Sequence, residues 1–260
     1  MVRPLLLILL CALAAPAAPK RVLYITTSAG FRHDSIPMSQ AVMRELGERS
    51  GVFEVVSSED LSLINAETLR GFDVLYFFTS GELPLSDQQK ADLLAFVRGG
   101  KGFGGVHSAT DTLYTWPEYG DLVGAWFNGH PWAQDVAVQV EDRDHPITRG
   151  FGASFRIADE IYQFRDFSRD RVHVLLSLNT TSVDLSAPGV ANPNGDFPLA
   201  WYRDYGDGRV FYTALGHPVE TWLDERFQTL LTNAIKWLAG EKPLFRPPEA
   251  ARRDAGADTR

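Results

Sequence analysis

Imidazole changes charge near neutral pH without help from its surroundings, so the six histidines of this 260-residue chain are where chemistry is first sought. Four of them lie in short turn-like contexts. His33 stands in Gly30-Phe31-Arg32-His33-Asp34, and His107 in Gly104-Gly105-Val106-His107-Ser108. His130 stands in Asn128-Gly129-His130-Pro131, and His217 in Ala214-Leu215-Gly216-His217-Pro218. Glycine lets the backbone bend sharply at such points and present one reactive side chain. A serine or cysteine at the tip would suggest a nucleophile, whereas a histidine there ligates a metal or moves a proton. His145, in Asp144-His145-Pro146, reads instead as a turn hydrogen bond, and His173 as a surface position of a strand.

Carboxylates complete the candidate set. Asp111 follows His107 by four residues, close enough to orient its ring or share its ligand. Glu160 is a charge inside an otherwise strand-like stretch and therefore asks for a partner. Asp34 and Glu220 read as helix-start residues, where a negative charge suits the helix dipole. Trp116, Trp126 and Trp132 fall close together, with Tyr114, Tyr119 and Phe127 among them, around His130. Such rings either stack on the apolar faces of sugars or form a second small core under a long loop. Both readings stand at this point.

The elements that must position these residues alternate between strand and helix. Arg21 to Thr27, Phe53 to Ser57, Asp73 to Thr79 and Gly102 to Val106 read as strands, and Ser35 to Arg49 as a helix. Ser86 to Arg98 is a helix opened by a Ser86/Gln89 capping box and ended by Gly99-Gly100. Apolar strands without alternation argue for a mostly parallel sheet covered by helices on both faces. After Asp111 a Trp-rich, β-rich insertion follows, with strand-like runs at Asp135 to Glu141, Ile157 to Phe164 and Val172 to Leu178. Leu199 to Tyr205 and Arg209 to Ala214 flank Gly206-Asp207-Gly208 as a hairpin. Glu220 to Leu238 is the last helix. His33, His107 and His217 each fall just past a strand, on the edge where open parallel sheets bind ligands.

The N-terminus reads as an export signal over residues 1–17, with Arg3, an apolar run from Leu5 to Ala14, and small-x-small sites ending at Ala17. Its apolar run is shorter than the ~20 residues that span a bilayer. Leu10 before Cys11 does not fit a lipoprotein signal, which uses a small residue there. The mature chain is thus expected to be periplasmic or secreted, free of the membrane, and without cysteine, since Cys11 is the single one. Disulfides and thiol catalysis are then excluded. The net charge of −8, without a Lys/Arg cluster, argues against nucleic acid as a partner. Residues 18–240 form one domain, and residues 241–260, rich in Pro, Ala, Arg and Asp, read as a disordered tail.

Several blocks together resemble the ThuA-like (trehalose-utilisation) family: Phe31-Arg32-His33-Asp34-Ser35, Gly105 to Thr112, Gly129-His130-Pro131, Asp144 to Ile147, Asp159-Glu160-Ile161-Tyr162 and Leu215 to Pro218. The resemblance runs from about Lys20 to Gly240. It implies a flavodoxin-like fold of the class I glutamine amidotransferase-like type, and a link to sugar catabolism, notably of 3-keto-glycosides. That superfamily carries a cysteine at the elbow where this chain has His107, so glutamine hydrolysis through a thioester is not available. Some family members are associated with a bound metal. The leading expectation is a metal-dependent hydrolase or lyase acting on a small-molecule sugar. Zinc would be held by His107, His130 and His217, with Glu160 or Asp111 as oxygen ligand or base. His107 itself counts among the catalytic candidates. His33, Tyr114, Trp116, Trp132 and Tyr162 are the expected substrate contacts. The competing expectation is a carbohydrate-binding module that keeps the fold without chemistry. A metal-free hydrolase using two carboxylates stands third.

Overall fold

The structure, a computed structural model, describes residues 18–192 and 195–240. The export signal expected over residues 1–17 and the tail expected over residues 241–260 lie outside the described residues. The first half of the chain alternates strictly between strand and helix: β1 (Lys20–Ile25), α1 (Ile36–Ser50), β2 (Phe53–Ser58), α2 (Ala66–Leu69), β3 (Val74–Phe77), α3 (Asp87–Arg98) and β4 (Gly102–Val106). A short helix α4 (Pro117–Val123) and strands β5 (Trp126–Phe127), β6 (Trp132–Val140), β7 (Ser154–Ile161), β8 (Phe164–Arg165) and β9 (His173–Leu178) follow. The chain closes with β10 (Pro198–Tyr205), β11 (Gly208–Thr213), α5 (Val219–Leu223) and α6 (Glu225–Leu238).

Nine strands form one sheet in the order β2-β1-β3-β4-β11-β10-β9-β6-β7. The first five pair in parallel. With β11 counted as the fifth strand, their order is the 2-1-3-4-5 of the flavodoxin-like fold. The other four run antiparallel and come from the hairpin and the insertion. Strands β5 and β8 pair separately as a small ribbon.

Val22 to Ile25 and Val74 to Phe77 are buried on both faces, which is why these strands show no polar alternation. Helices α1, α5 and α6 pack together. Helix α6 lies over the face of β4 to which Gly102 belongs, and α4 over the opposite face, at Gly105. Gly104 has to be glycine, because a Cβ there would stand 2.2 Å from the Tyr76 ring. The Ser86/Gln89 capping box opens α3 as its residues require.

Two local expectations are corrected. The N-cap of α1 is Ser35, with Pro37 in the first turn, and Asp34 makes no cap. The run Glu220 to Leu238 is two helices, because Asp224 adopts extended backbone and caps α6 through the Arg226 N–H. Among the described residues no helix is long and apolar enough to cross a membrane.

Candidate functional site

The site lies beyond the carboxyl ends of β1, β4 and β11. His107 ends β4 and opens a one-turn 3-10 helix, His107–Thr110. Its φ of 48° is left-handed, a conformation that costs a non-glycine residue about 1–3 kcal/mol and persists only where the surroundings enforce it. They do so here through two buried hydrogen bonds. The His107 ring donates from Nδ1 to the Ala214 carbonyl at 2.7 Å. Its own carbonyl accepts from the Tyr212 hydroxyl at 2.7 Å, and Tyr212 is in turn bonded to Thr110. With Nδ1 committed as donor, Nε2 carries the lone pair and faces the site. His107 is fully buried, not projected from a turn as its glycine-rich approach suggests.

Three imidazoles meet at this point. The ring of His33 lies edge-on to those of His107 and His217, at centroid distances of 4.8 and 5.1 Å. Nε2 of His107 is 3.2 Å from Nδ1 of His217. One ring nitrogen from each of the three lies within 4.8 Å of the others. Burial, followed by the charge of His217, lowers the pKa of His33 to about 4. Burial, and then His33, push His107 well below the usual imidazole range. Both rings are therefore neutral near pH 7, the state in which they ligate metals. Nδ1 of His33 is buried with no hydrogen-bond partner, an orphaned polar atom that a cation or a substrate hydroxyl would satisfy.

Glu160 closes the triangle. Its Oε2 stands 3.1 Å from His217 Nδ1 and 3.7 Å from His107 Nε2. Burial raises its pKa, but the His217 hydrogen bond and the surrounding imidazoles outweigh that and leave it lowered. The same bond raises His217. Tyr162, kept neutral by burial, donates to His107 Nε2 at 2.8 Å. Asp111 lies across the cavity, bonded at 2.6 Å by the Tyr114 hydroxyl, and burial raises its carboxyl pKa against that bond. The cavity encloses about 360 Å³, with Phe31 and Phe127 as apolar walls.

The expected residues separate accordingly. His33, His107, His217, Glu160, Tyr162 and Asp111 come together, while Tyr114 acts behind Asp111. His130 lines the cavity but stands on the far side of Glu160, its Nδ1 3.8 Å from Oε1, and it stacks on Phe127. The imidazole grouped with His107 and His217 is thus His33, because its loop returns over the sheet edge while His130 rides on the insertion. Trp116 and Trp132 are not at the cavity. Trp116 is 7% exposed and stacks on Tyr119, and Trp132 is 5% exposed, packs on Phe197 and bonds the Asp184 carbonyl. These two tryptophans belong to the core, the second of the two readings of the insertion. His145 stacks on Tyr202 and accepts the Ile147 N–H, and His173 bonds Asp142, both away from the site.

Asp159 and the cavity wall Phe31 are residues that sequence reasoning missed; Asp159 supports the site from behind. It is buried and accepts from the backbone N–H groups of Gly216, His217 and Glu160 and from the Thr221 hydroxyl. Burial raises its pKa to about 6 against those bonds. A legible signal existed: successive strand residues face opposite sides, so one of two adjacent acids had to point inward.

A flavodoxin-like α/β domain with a histidine and carboxylate cluster at its ligand-binding edge is the class defined so far. The ThuA family profile, described as trehalose utilisation, matches residues 21–238. The chain belongs to this family of carbohydrate utilisation. A ThuA-like protein from Bacteroides uniformis is 27% identical, with a TM-score of 0.73 over 88% of this chain and 94% of its own. One from Parabacteroides merdae is 20% identical, with a TM-score of 0.70 over 89% of this chain and 94% of its own, and shares the fold. A β-galactosidase from Bacillus circulans shares the fold over 85% of this chain and 31% of its own, at 10% identity and a TM-score of 0.54. A search of curated protein sequences finds no match.

Proposed function

We propose that this protein is an exported lyase of carbohydrate breakdown that cleaves a 3-keto-glycoside of trehalose type and uses a divalent metal, zinc. The convergence of three imidazole nitrogens within 4.8 Å, beside Glu160, is the observation that carries the reading. His33, His107 and His217 would hold the ion, with the Glu160 carboxylate beside it and free to act as base. Nitrogen ligands, a nearby carboxylate and the orphaned Nδ1 of His33 fit such a group. Bound there, zinc would act as a Lewis acid on a sugar carbonyl.

The proton chemistry belongs to the chain. Glu160, held ionised beside His217, is the general base for the C2 proton, which the C3 ketone makes acidic. The electron pair freed at C2 forms a C1–C2 double bond as the glycosidic C1–O bond breaks. Asp111, whose carboxyl burial raises, donates its proton to the departing oxygen, and the second sugar leaves as an alcohol. Two carboxylates whose environments push them apart are the pattern that assigns base and acid. Tyr114 orients the acid. The family's description as trehalose utilisation supports the sugar.

Mature protein loaded with Zn²⁺ should convert 3-keto-trehalose to glucose and an unsaturated keto-sugar. Trehalose should survive, because it has no acidified C–H. Binding of these sugars without turnover, with or without metal, would leave a carbohydrate-binding module instead. Export is tested separately: N-terminal sequencing of envelope-fraction protein should begin near Ala18, and an intact Met1 would refute it.

A further inference from the structure

Phe31 is an anomaly in a chain that buries its large side chains well. It is 64% exposed, the most exposed of the large apolar residues described. An aromatic ring left in water forgoes about 1.5–3 kcal/mol of burial. A floppy loop would explain that, but this loop is fixed on all sides. Arg32 makes a bidentate ion pair with Glu59, at 2.7 and 2.9 Å. The Phe31 carbonyl accepts from the Ser80 hydroxyl at 2.6 Å, and the Ala29 and Gly30 N–H groups bond the Ser80 carbonyl. Gly30 lies so close to Gly81 that a Cβ on it would meet that backbone at 3.1 Å.

The ring is held at the cavity mouth. One side meets the edge of His33 at 4.8 Å and lies nearly parallel to His217, 6.4 Å away. His33 and His107 are buried and the Glu160 side chain is 15% exposed, whereas most of the Phe31 ring is open to solvent. A sugar reaching the carboxylates would leave its second ring at the level of Phe31. The C–H face of a pyranose is apolar and flat, and a rigid, pre-solvated aromatic ring is the partner it stacks on.

We infer that Phe31 is an outer sugar subsite that holds the second, non-reacting ring of a disaccharide and so selects glycosides larger than a single ring. The inference rests on the proposed sugar function and adds substrate size to it.

Calorimetry with two unreactive probes, trehalose and methyl α-glucoside, tests it on mature protein. Wild type should bind trehalose more tightly than the methyl glucoside. Phe31→Ala should weaken trehalose about tenfold, the order of one aromatic contact, and leave the methyl glucoside unchanged. Phe31→Tyr should restore the difference. Zn²⁺ affinity should stay the same in both variants, which separates the subsite from the imidazole cluster. Equal binding of trehalose by wild type and Phe31→Ala, or equal losses for both probes, would overturn the subsite and leave the sugar function standing. If neither probe binds wild type, the subsite falls, and turnover of 3-keto-trehalose decides the sugar function separately.

Discussion

Asp159 holds His217 by its backbone: Oδ1 accepts the His217 N–H at 3.1 Å, while the neighbouring Glu160 takes the ring of the same histidine from the other side. Strand alternation produces this division, since adjacent residues of β7 face opposite ways. The last strand of the sheet thereby reaches the loop that follows β11, four places away in pairing order.

Asp159→Asn should lower stability by about 2–4 kcal/mol, read by urea unfolding. The amide would turn two donors toward N–H and O–H groups that now find an acceptor. A loss below 1 kcal/mol would mean that the loop is held by other contacts.

The same carboxyl sets a pH signature. Its pKa is near 6 folded against 3.8 unfolded, so the folded state binds its proton more tightly. The stabilisation is complete below about pH 4 and is lost as pH rises through 6, roughly 3 kcal/mol in all. Paired carboxyls such as Asp73 and Glu141 have lowered pKa values, and their contribution is lost at lower pH in the opposite sense. Unfolding free energies of wild type minus Asp159→Asn should therefore fall between pH 4 and 6. A flat difference would contradict the assignment.

Metal affinity should identify the ligands. His33→Ala, His107→Ala and His217→Ala should each weaken Zn²⁺ by more than about 100-fold, and His130→Ala by less than about tenfold. Binding should release a proton and weaken as pH falls, because the Glu160 bond keeps His217 protonated to higher pH than usual. A larger loss for His130 than for His33 would return the site to His107, His130 and His217, the set expected from the sequence.

Phe227→Ala should cost about 3–5 kcal/mol, since the ring is buried against Trp222. His107→Ala removes the ring's bonds to the Ala214 carbonyl and the Tyr162 hydroxyl; the carbonyl is left unpaired while the hydroxyl faces the cavity, a smaller loss of about 1–3 kcal/mol. Thermal melts should rank them in that order. Glu160→Gln should slow 3-keto-trehalose turnover by roughly 10²–10⁴, the range of a lost general base, while binding persists.

The parallel half of the fold was legible because its strands are short, apolar and punctuated by Gly99-Gly100 or a capping box. His33, His107 and His217 were legible because each follows such a strand. The remainder depended on distance in space. Glycine spacing ranks His130 equal to His33, and only the curl of the antiparallel half sets it behind Glu160. Tryptophans near a histidine give no sign of which way they face, so Trp116 and Trp132 were readable either as platform or as core. Phe31 carried no signal in periodicity, since its exposure comes from the Arg32–Glu59 pair and the Ser80 contact.

The Ser35 hydroxyl reaches the Gly216 carbonyl, a contact that spans 181 residues. The three imidazoles gather across the same interval, with Glu160 arriving on the last strand of the sheet. No local segment can prepare such a cluster in advance, and loop closure over that length delays it until the parallel and antiparallel halves have joined. During refolding, capture of Zn²⁺ should thus appear only in the slowest phase, and a chain stopped after β9 should carry most of the helices yet remain chemically silent.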